Sequence, residues 1–296
     1  MDVYAWRFTE GRPQRVDRPK DGLLSWKGRL HAHVPRGKLT VLSLFYFFTF
    51  FFSFLTQNFY GGNGIVGAQM PLGAGIALGQ KYRASEEVTI ALCGDGAANQ
   101  GQVFEVYNMA KLWGLPVIFV TENNGYGMGT SATRSSASTE YYTRGDYVPG
   151  LWIDGMDVLA VRNGIEYLAS QCRAGHGPFV VEMATYRYHG HSVSDPGTSY
   201  RTRDEIQEVR QHRDPITVFR EHALDAKLVT AEELKAVDGE VRAEVDEAVR
   251  QAKSEPELDA TELYNDIYVS CIQPKVRGTT PFTEHTHQTT GKLFNV

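Results

Sequence analysis

The chain has 296 residues, of which 42% are hydrophobic and 22% charged, with a formal net charge of −5. That is enough apolar material for one large α/β domain, alone or with appendages, and it excludes a chain disordered throughout; the mild acidity gives no electrostatic reason to expect nucleic acid as a partner. Three scattered cysteines, Cys93, Cys172 and Cys271, build neither a disulfide framework nor a zinc cluster and argue for a reducing compartment.

In chain order, the first unusual feature is the phenylalanine-rich run from Thr40 to Thr56. At about seventeen residues it stands at the lower limit for a membrane span, Ser and Thr interrupt it, and it begins too far into the chain for a cleaved signal peptide. Gly67 to Lys81 reads as a helix, with Gly67, Gly75 and Gly79 close to one line, a spacing that suits close backbone approach between helices or ordinary core packing equally well. Val88 to Cys93 is a short, partly β-branched apolar run and predicts a buried parallel strand, with Cys93 as a small core residue. Gly94-Asp95-Gly96 breaks it. From Asn99 to Trp113 the residues Val103, Val106, Tyr107, Ala110 and Trp113 recur at intervals of three and four, predicting a helix with one face on a sheet, ended by Gly114 and Pro116. Pro116 to Val120 predicts the next strand.

Gly150 to Cys172 reads as another strand-and-helix unit, with Val158 to Val161 ahead of a helix through Ile165, Leu168 and Ala169. Phe179 to Met183 is a further buried strand. Thr185 to Arg203 carries no apolar period and is rich in Arg, His, Ser and Gly, so it predicts a long functional loop. Asp214 to Asp225 and Thr230 to Lys253 read as helices, the second opening with a capping box of Thr230 and Glu233 and carrying a solvated charged face. From Gly278 onward there is no pattern, which predicts a loosely held tail. His285 and His287 lack a partnering Cys or carboxylate cluster and are not read as a metal site.

Between Gly96 and Asn123 lie twenty-six residues, the length of one strand-helix-strand crossover. Asp95 and Asn124 therefore fall just past the carboxyl ends of two strands, where open α/β sheets bind ligands. A carboxylate and a carboxamide at such an edge supply hard oxygen ligands to a small octahedral divalent cation, and glycines let backbone approach phosphate. Each motif alone is ordinary turn chemistry. Together, at crossover spacing, they point to metal-bridged diphosphate binding.

Four longer stretches narrow the reading: Asn58 to Gly67 (NFYGGNGIVG), Gly94 to Gly101 (GDGAANQG), Glu122 to Ser131 (ENNGYGMGTS) and Tyr186 to Ser192 (YRYHGHS). From Asn58 to about Gly278 the chain resembles the alpha subunits of the pyruvate dehydrogenases, within the thiamin diphosphate-dependent 2-oxo acid dehydrogenases. The resemblance implies a thiamin diphosphate-binding α/β fold, a largely parallel sheet with helices on both faces, over residues 58–278, between a non-family segment 1–57 and a tail 279–296. It implies Mg2+ held by Asp95, the side chain of Asn124 and the backbone carbonyl of Tyr126. Gly96 and Ala97 would meet the diphosphate, and Gly64 and Val66 would hold the aminopyrimidine through main-chain bonds. His191 would be the catalytic histidine, touching cofactor phosphate near the reacting carbon, with Arg187 and His189 ordering its loop. Ser192, Ser199 and Ser131 match positions of regulatory phosphorylation in animal members of the family.

The implied reaction is oxidative decarboxylation of pyruvate with transfer of the acetyl group to lipoyl on the transacetylase. The implied partners are a beta subunit, in a heterotetramer of two alpha and two beta chains, the dihydrolipoyl transacetylase core, and a regulatory kinase and phosphatase. The implied site is the mitochondrial matrix, although the chain carries no clear targeting peptide, and neither nucleic acid nor membrane is expected. Alpha subunits of branched-chain 2-oxo acid or acetoin dehydrogenase share the cofactor motif, but the wording from Tyr188 to Gly197 favours pyruvate. The first 57 residues depart from the pattern: they lack the Tyr-Arg pair that the family brings to the cofactor. Residues 38–57 read better as a translated intron than as a membrane anchor, since a splice donor is encodable at Gly37-Lys38-Leu39, a pyrimidine tract encodes such a run, and the resemblance resumes at Asn58. The chain as written is on this reading an inactive form, or an interaction subunit without activity of its own.

Overall fold

A computed structural model of the chain describes residues 60–257 throughout, and beyond them residues 6–9, 12–15, 39–42, 275–277, 280 and 282–286. The chain divides into two compact units, residues 1–226 and 227–296.

In the first unit, strands β1 (Trp6–Thr9) and β2 (Arg12–Arg15) pair antiparallel with each other. Strand β3 (Leu39–Leu42) is followed by helix α1 (Gln69–Tyr82), β4 (Val88–Gly94), α2 (Gly101–Leu112) and β5 (Val117–Asn123). A small hairpin of β6 (Tyr126–Gly127) and β7 (Thr130–Ser131) leads into the single turn α3 (Ala132–Ser135). Then come β8 (Gly150–Asp154), α4 (Val158–Arg173), β9 (Phe179–Ala184), α5 (Arg203–His212) and α6 (Pro215–Asp225). The central sheet runs β3-β4-β5-β9-β8, and every neighbouring pair in it is parallel.

Both faces of that sheet are covered along β4, β5 and β9, which is why the first four residues of each of these strands are buried in succession rather than alternately. On one face Ala91, Cys93, Val117, Phe119 and Val180 pack with Met70, Ala74 and Ala77 of α1 and Val103, Val106, Tyr107 and Ala110 of α2. On the other, Val88, Ile90, Ile118, Val120 and Val181 pack with Leu168, Ala169 and Cys172 of α4. The α/β architecture with helices on both faces is thus as the sequence predicts. Cys93 is buried, and burial pushes its thiol up to about 12, so it behaves as a small apolar side chain.

Three local expectations need correction. Val158 to Val161 is the first turn of α4 and not a segment ahead of it, because Asp157 Oδ1 accepts from the Leu159 and Ala160 amides at 2.9 and 3.2 Å and starts the helix there. The close approach on α1 falls at Gly73, where a Cβ would stand 2.6 Å from the Ala91 Cβ, whereas Cβ atoms on Gly75 and Gly79 would meet nothing within 4 Å. Helix α5 was not expected, since Ile206 and Val209 are its only large apolar residues; the Thr202 hydroxyl, accepting from the Glu205 amide at 3.1 Å, caps it.

In the second unit, α7 (Ala231–Ser254) begins with the expected capping box: the Thr230 amide donates to Glu233 Oε2 at 2.8 Å and the Glu233 amide to Thr230 Oγ1 at 3.2 Å. Strands β10 (Lys275–Arg277) and β11 (Glu284–Thr286) pair antiparallel, so part of the region expected as an unpatterned tail is a hairpin. Among the described residues no helix is long and apolar enough to cross a membrane. Of the phenylalanine-rich run only Thr40, Val41 and Leu42 are described, as part of β3, and Cys271 and His287 lie outside the described residues.

Candidate functional site

The in-register pairing of Gly94 with Glu122, and of Asn123 with Ala184, brings the carboxyl ends of β4, β5 and β9 to one edge. Asp95 follows β4 directly and is 1% exposed. The amides of Asp95, Asn124 and Gly96 donate toward its carboxylate, yet burial outweighs them and Arg187 and raises its pKa. Its Oδ2 has no hydrogen-bond partner. A buried carboxylate oxygen left without a partner costs about 1–3 kcal/mol or more, so the position is suited to a cation.

Asn124 follows β5, and its Oδ1 accepts from the Tyr126 amide at 3.2 Å, while Asn123 Oδ1 accepts from the Gly125 amide at 3.0 Å. These two short bonds, with Gly125 at φ +81°, turn the chain back sharply. The turn seats Gly127 on Gly96, where a Cβ would have no room: one on Gly96 would stand 3.0 Å from the Gly127 Cα. Asn123 Nδ2 donates to the buried Glu182 Oε1 at 2.8 Å, and Glu182 Oε2 accepts from the Tyr142 amide, which fixes the base of the turn. Arg144 clamps the segment after Gly96, donating to the Ala98 carbonyl at 3.2 Å and to Asn99 Oδ1 at 2.7 Å.

Across β9 lies the long loop. Arg187 bridges it to the Asn124 turn, donating through Nη1 to the Tyr126 carbonyl at 3.3 Å and through Nη2 to the Met128 carbonyl and the Tyr200 hydroxyl, both at 2.7 Å. Asp195 closes the loop on itself: Oδ2 accepts from the His191 amide at 2.8 Å and the Tyr200 hydroxyl at 2.6 Å, and Oδ1 from the Gly197 amide at 2.8 Å. The His191 imidazole is held neutral to lower pH than an ordinary histidine, by burial first and then by Arg187, with Asp195 opposing. Arg201 donates to the Arg187 and His189 carbonyls.

Of the residues the sequence singled out, Asp95, Gly96, Asn124 and Tyr126 form one continuous patch, and Arg187 ties the His191 loop to it. Ala97 is buried in the short 3-10 turn after Gly96. Gly64 and Val66 lie in the turn before α1, where the Val66 carbonyl accepts from Gln102 Nε2 at 3.0 Å. Ser192 and Ser199 are exposed on the loop, and Ser131 lies at the end of the hairpin with its Oγ 3.2 Å from Thr133 Oγ1. Asp195, Arg201, Arg144 and Glu182 escaped sequence reasoning. For Asp195 a signal existed, since Asp-Pro-Gly is a turn whose carboxylate caps nearby amides.

Among the described residues no three His, Cys, Asp or Glu side chains gather as a metal cluster. The donors at the edge are one carboxylate, one carboxamide and one backbone carbonyl. That set fits a magnesium ion whose remaining positions go to phosphate oxygens and water, and not an all-protein cage.

Residues 51–261 match the model of the dehydrogenase E1 component family. The chain is 65% identical over 225 residues to the probable pyruvate dehydrogenase E1 component subunit alpha, mitochondrial, of Caenorhabditis elegans, covering 76% of this chain and 57% of that one. It is 61% identical over 238 residues to the type II alpha subunit of Ascaris suum, covering 80% and 61%, and 58% identical over 222 residues to the somatic alpha subunit of Homo sapiens, covering 75% and 57%. It therefore spans less than two thirds of the length of these relatives.

Proposed function

From its membership of the dehydrogenase E1 component family, to which this chain belongs, we propose that it is the alpha subunit of a pyruvate dehydrogenase, an oxidoreductase of the mitochondrial matrix that depends on thiamin diphosphate and magnesium. The observation that carries the reading is the buried Asp95 carboxylate, with Oδ2 unpartnered and the Asn124 amide donating to the same group. Asp95, the Asn124 side chain and the Tyr126 carbonyl would hold magnesium. The backbone of Gly96 and Ala97 would receive the diphosphate, and the main chain of Gly64 and Val66 the aminopyrimidine. Thiamin diphosphate, when bound, would supply a nucleophilic carbon for the 2-oxo group and an electron sink for the bonding pair left behind as carbon dioxide departs.

The chain's own residues bind, orient and hold protons. The Arg187 bridge fixes the metal-side carbonyl and the histidine loop relative to each other, so a shift of one moves the other. His191, whose pKa burial lowers so that the uncharged imidazole is favoured, would present an N–H to cofactor phosphate or to the reacting substrate. A separate beta subunit supplies the carboxylate that activates the cofactor, in a heterotetramer of two alpha and two beta chains, and the acetyl group passes to lipoyl on the transacetylase core. Ser192, Ser199 and Ser131 are the sites where a kinase and a phosphatase would act. The names of the relatives support the subunit and the substrate; the wording from Tyr188 to Gly197 supports pyruvate over branched-chain 2-oxo acids and acetoin.

The test uses the complete chain co-expressed with the beta subunit. Thiamin diphosphate binding followed by calorimetry is expected to require magnesium, and carbon dioxide release is expected from pyruvate in preference to branched-chain 2-oxo acids. Binding indifferent to magnesium, or a preference for the branched substrates, would overturn the reading.

A further inference from the structure

We propose that Gln102 is a positioning residue for the aminopyrimidine end of the cofactor: it ties the turn carrying Gly64 and Val66 to the first turn of α2, and through α2 to the segment of Gly96 and Ala97. The inference rests on the reading of those four residues as main-chain contacts of the cofactor. The turn holds itself only in part. Asn63 Oδ1 accepts from the Ile65 amide at 2.8 Å, the Ile65 carbonyl from the Ala68 amide at 3.1 Å and the Gly67 carbonyl from the Met70 amide at 3.2 Å. Among the described residues no backbone amide donates to the Val66 carbonyl. Gln102 Nε2 does, at 3.0 Å, from 36 residues further along the chain.

Gly67 makes the approach possible. At φ +84° it adopts a backbone conformation that favours glycine, and a Cβ there would stand 3.0 Å from Gln102 Nε2 and 3.1 Å from Cβ and Cγ of Gln100. The Val66 side chain packs against the core shared by α1 and α2. With side chain and carbonyl both held, the amide is what Val66 has left for a ligand; among the described residues neither that amide nor the Gly64 backbone has a hydrogen-bond partner. Place in the chain gives Gln102 its leverage. It is the second residue of α2, and the 3-10 turn Ala97–Asn99 leads from Gly96 into that helix. Arg144 pins the same 3-10 turn at the Ala98 carbonyl and at Asn99 Oδ1. One carboxamide thus sets the separation of two backbone segments, one for each end of the same cofactor. Its donor is what the Val66 carbonyl requires, not its bulk.

The test compares Gln102→Met and Gln102→Glu in the complete chain assembled with its beta subunit. Both keep the length of the side chain and lack the donor, so a role in packing alone would survive in them. Methionine is a good helix former and a glutamate in the first turn of α2 favours the helix, so both variants are expected to fold. In Gln102→Met, magnesium-dependent thiamin diphosphate affinity is expected to fall about fivefold, the scale of one neutral hydrogen bond, while affinity for magnesium pyrophosphate, which has no aminopyrimidine, stays within about twofold of native. Without cofactor, the Ile65 and Ala68 amides are expected to exchange about threefold faster in Gln102→Met, and faster still in Gln102→Glu, where two acceptors face each other, with β4 and β5 unchanged. Native thiamin diphosphate affinity in both variants, an equal loss for pyrophosphate in Gln102→Met, or turn amides as slow as native in both would each overturn the proposal. Failure of the native assembly to bind thiamin diphosphate would instead count against the cofactor reading, and the exchange result would still decide whether Gln102 holds the turn.

Discussion

Gly96 and Gly127 meet backbone to backbone: a Cβ on the first would stand 3.0 Å from the Cα of the second, and one on Gly127 would stand 3.2 Å from the Cα of Gly96. Neither neighbour is a side chain that could swing aside. The contact sets the distance between the segment that would receive a diphosphate and the turn that would hold its metal.

Gly127→Ala is therefore expected to separate Asp95 from the Asn124 turn and to weaken magnesium-dependent thiamin diphosphate binding by about tenfold or more, since overpacking against fixed backbone costs about 1–3 kcal/mol. Calorimetry on the variant assembled with its beta subunit checks this. Native affinity would mean that the two segments move freely, against the contact described.

Asp95→Asn separates two effects of one carboxylate. Burial raises the Asp95 pKa, so without a cation the fold favours the charged carboxylate less than water does, and the neutral isostere is expected to leave the thermal stability of the cofactor-free chain unchanged or higher. Magnesium-dependent cofactor binding is expected to fall by more than about tenfold, because a charged hard ligand has become neutral. A variant that loses stability without cofactor yet binds cofactor normally would remove Asp95 from the metal site.

Gly75→Ala is expected to stabilise the chain by about 0.5–1 kcal/mol, the usual helical preference for alanine, because a Cβ there meets nothing within 4 Å. Denaturant unfolding of the chain alone measures it. Gly73→Ala on the same helix is expected to destabilise, since its Cβ would stand 2.6 Å from that of Ala91. Equal effects at both positions would show that the face of α1 carrying Gly75 packs as the Gly73 face does.

The loop around His191 should respond to acid in one direction only. The His191 amide, then the Tyr200 hydroxyl and the Gly197 amide, hold the Asp195 carboxyl at about 2. A depressed carboxylate contributes order that is fully present above its unfolded pKa of about 3.9 and is lost as pH falls through the folded value. Loop amides are expected to stay protected down to about pH 4 and to lose protection between about pH 4 and 2 by this route. Asp195→Asn should lack that pH dependence and exchange faster at neutral pH. An identical acid profile in the variant would assign the effect to another group.

The edge of the sheet was legible because a crossover has a fixed length: Asp95 and Asn124 are placed by strands whose apolar runs are unmistakable, and both fall where the spacing requires. The helix at Val158 was misplaced by its own β-branched residues, and Asp157 as its cap decided the matter. Glu182 and Arg144 were not legible, because their roles come from partners 40 or more residues away, as with Asn99 and Arg144, and Arg201 was not because its surroundings arise only when the loop folds back on itself and onto Tyr126. A single sequence shows the side chain and its neighbours along the chain, but not the buried space that makes a charge there specific.

Ser192 stands where an added charge would act on the histidine loop directly. It is exposed, its Oγ lies 3.1 Å from Ser194 Oγ, and its carbonyl accepts from the Asp195 amide at 3.0 Å. A second anion there shares one short turn with the Asp195 carboxylate, which already takes the His191 amide, and like charges within such a turn repel. Ser192→Glu is therefore expected to loosen residues 189–197 and weaken thiamin diphosphate binding, with the core sheet and assembly with the beta subunit intact, although a single carboxylate is a weaker anion than phosphate. Exchange of loop amides, cofactor calorimetry and size-exclusion chromatography separate the three parts. Ser192→Gln, similar in size and neutral, is expected to have a smaller effect, so a loss equal in both variants would assign it to bulk and not to charge. A tight loop with native affinity in Ser192→Glu would remove this serine as a control point.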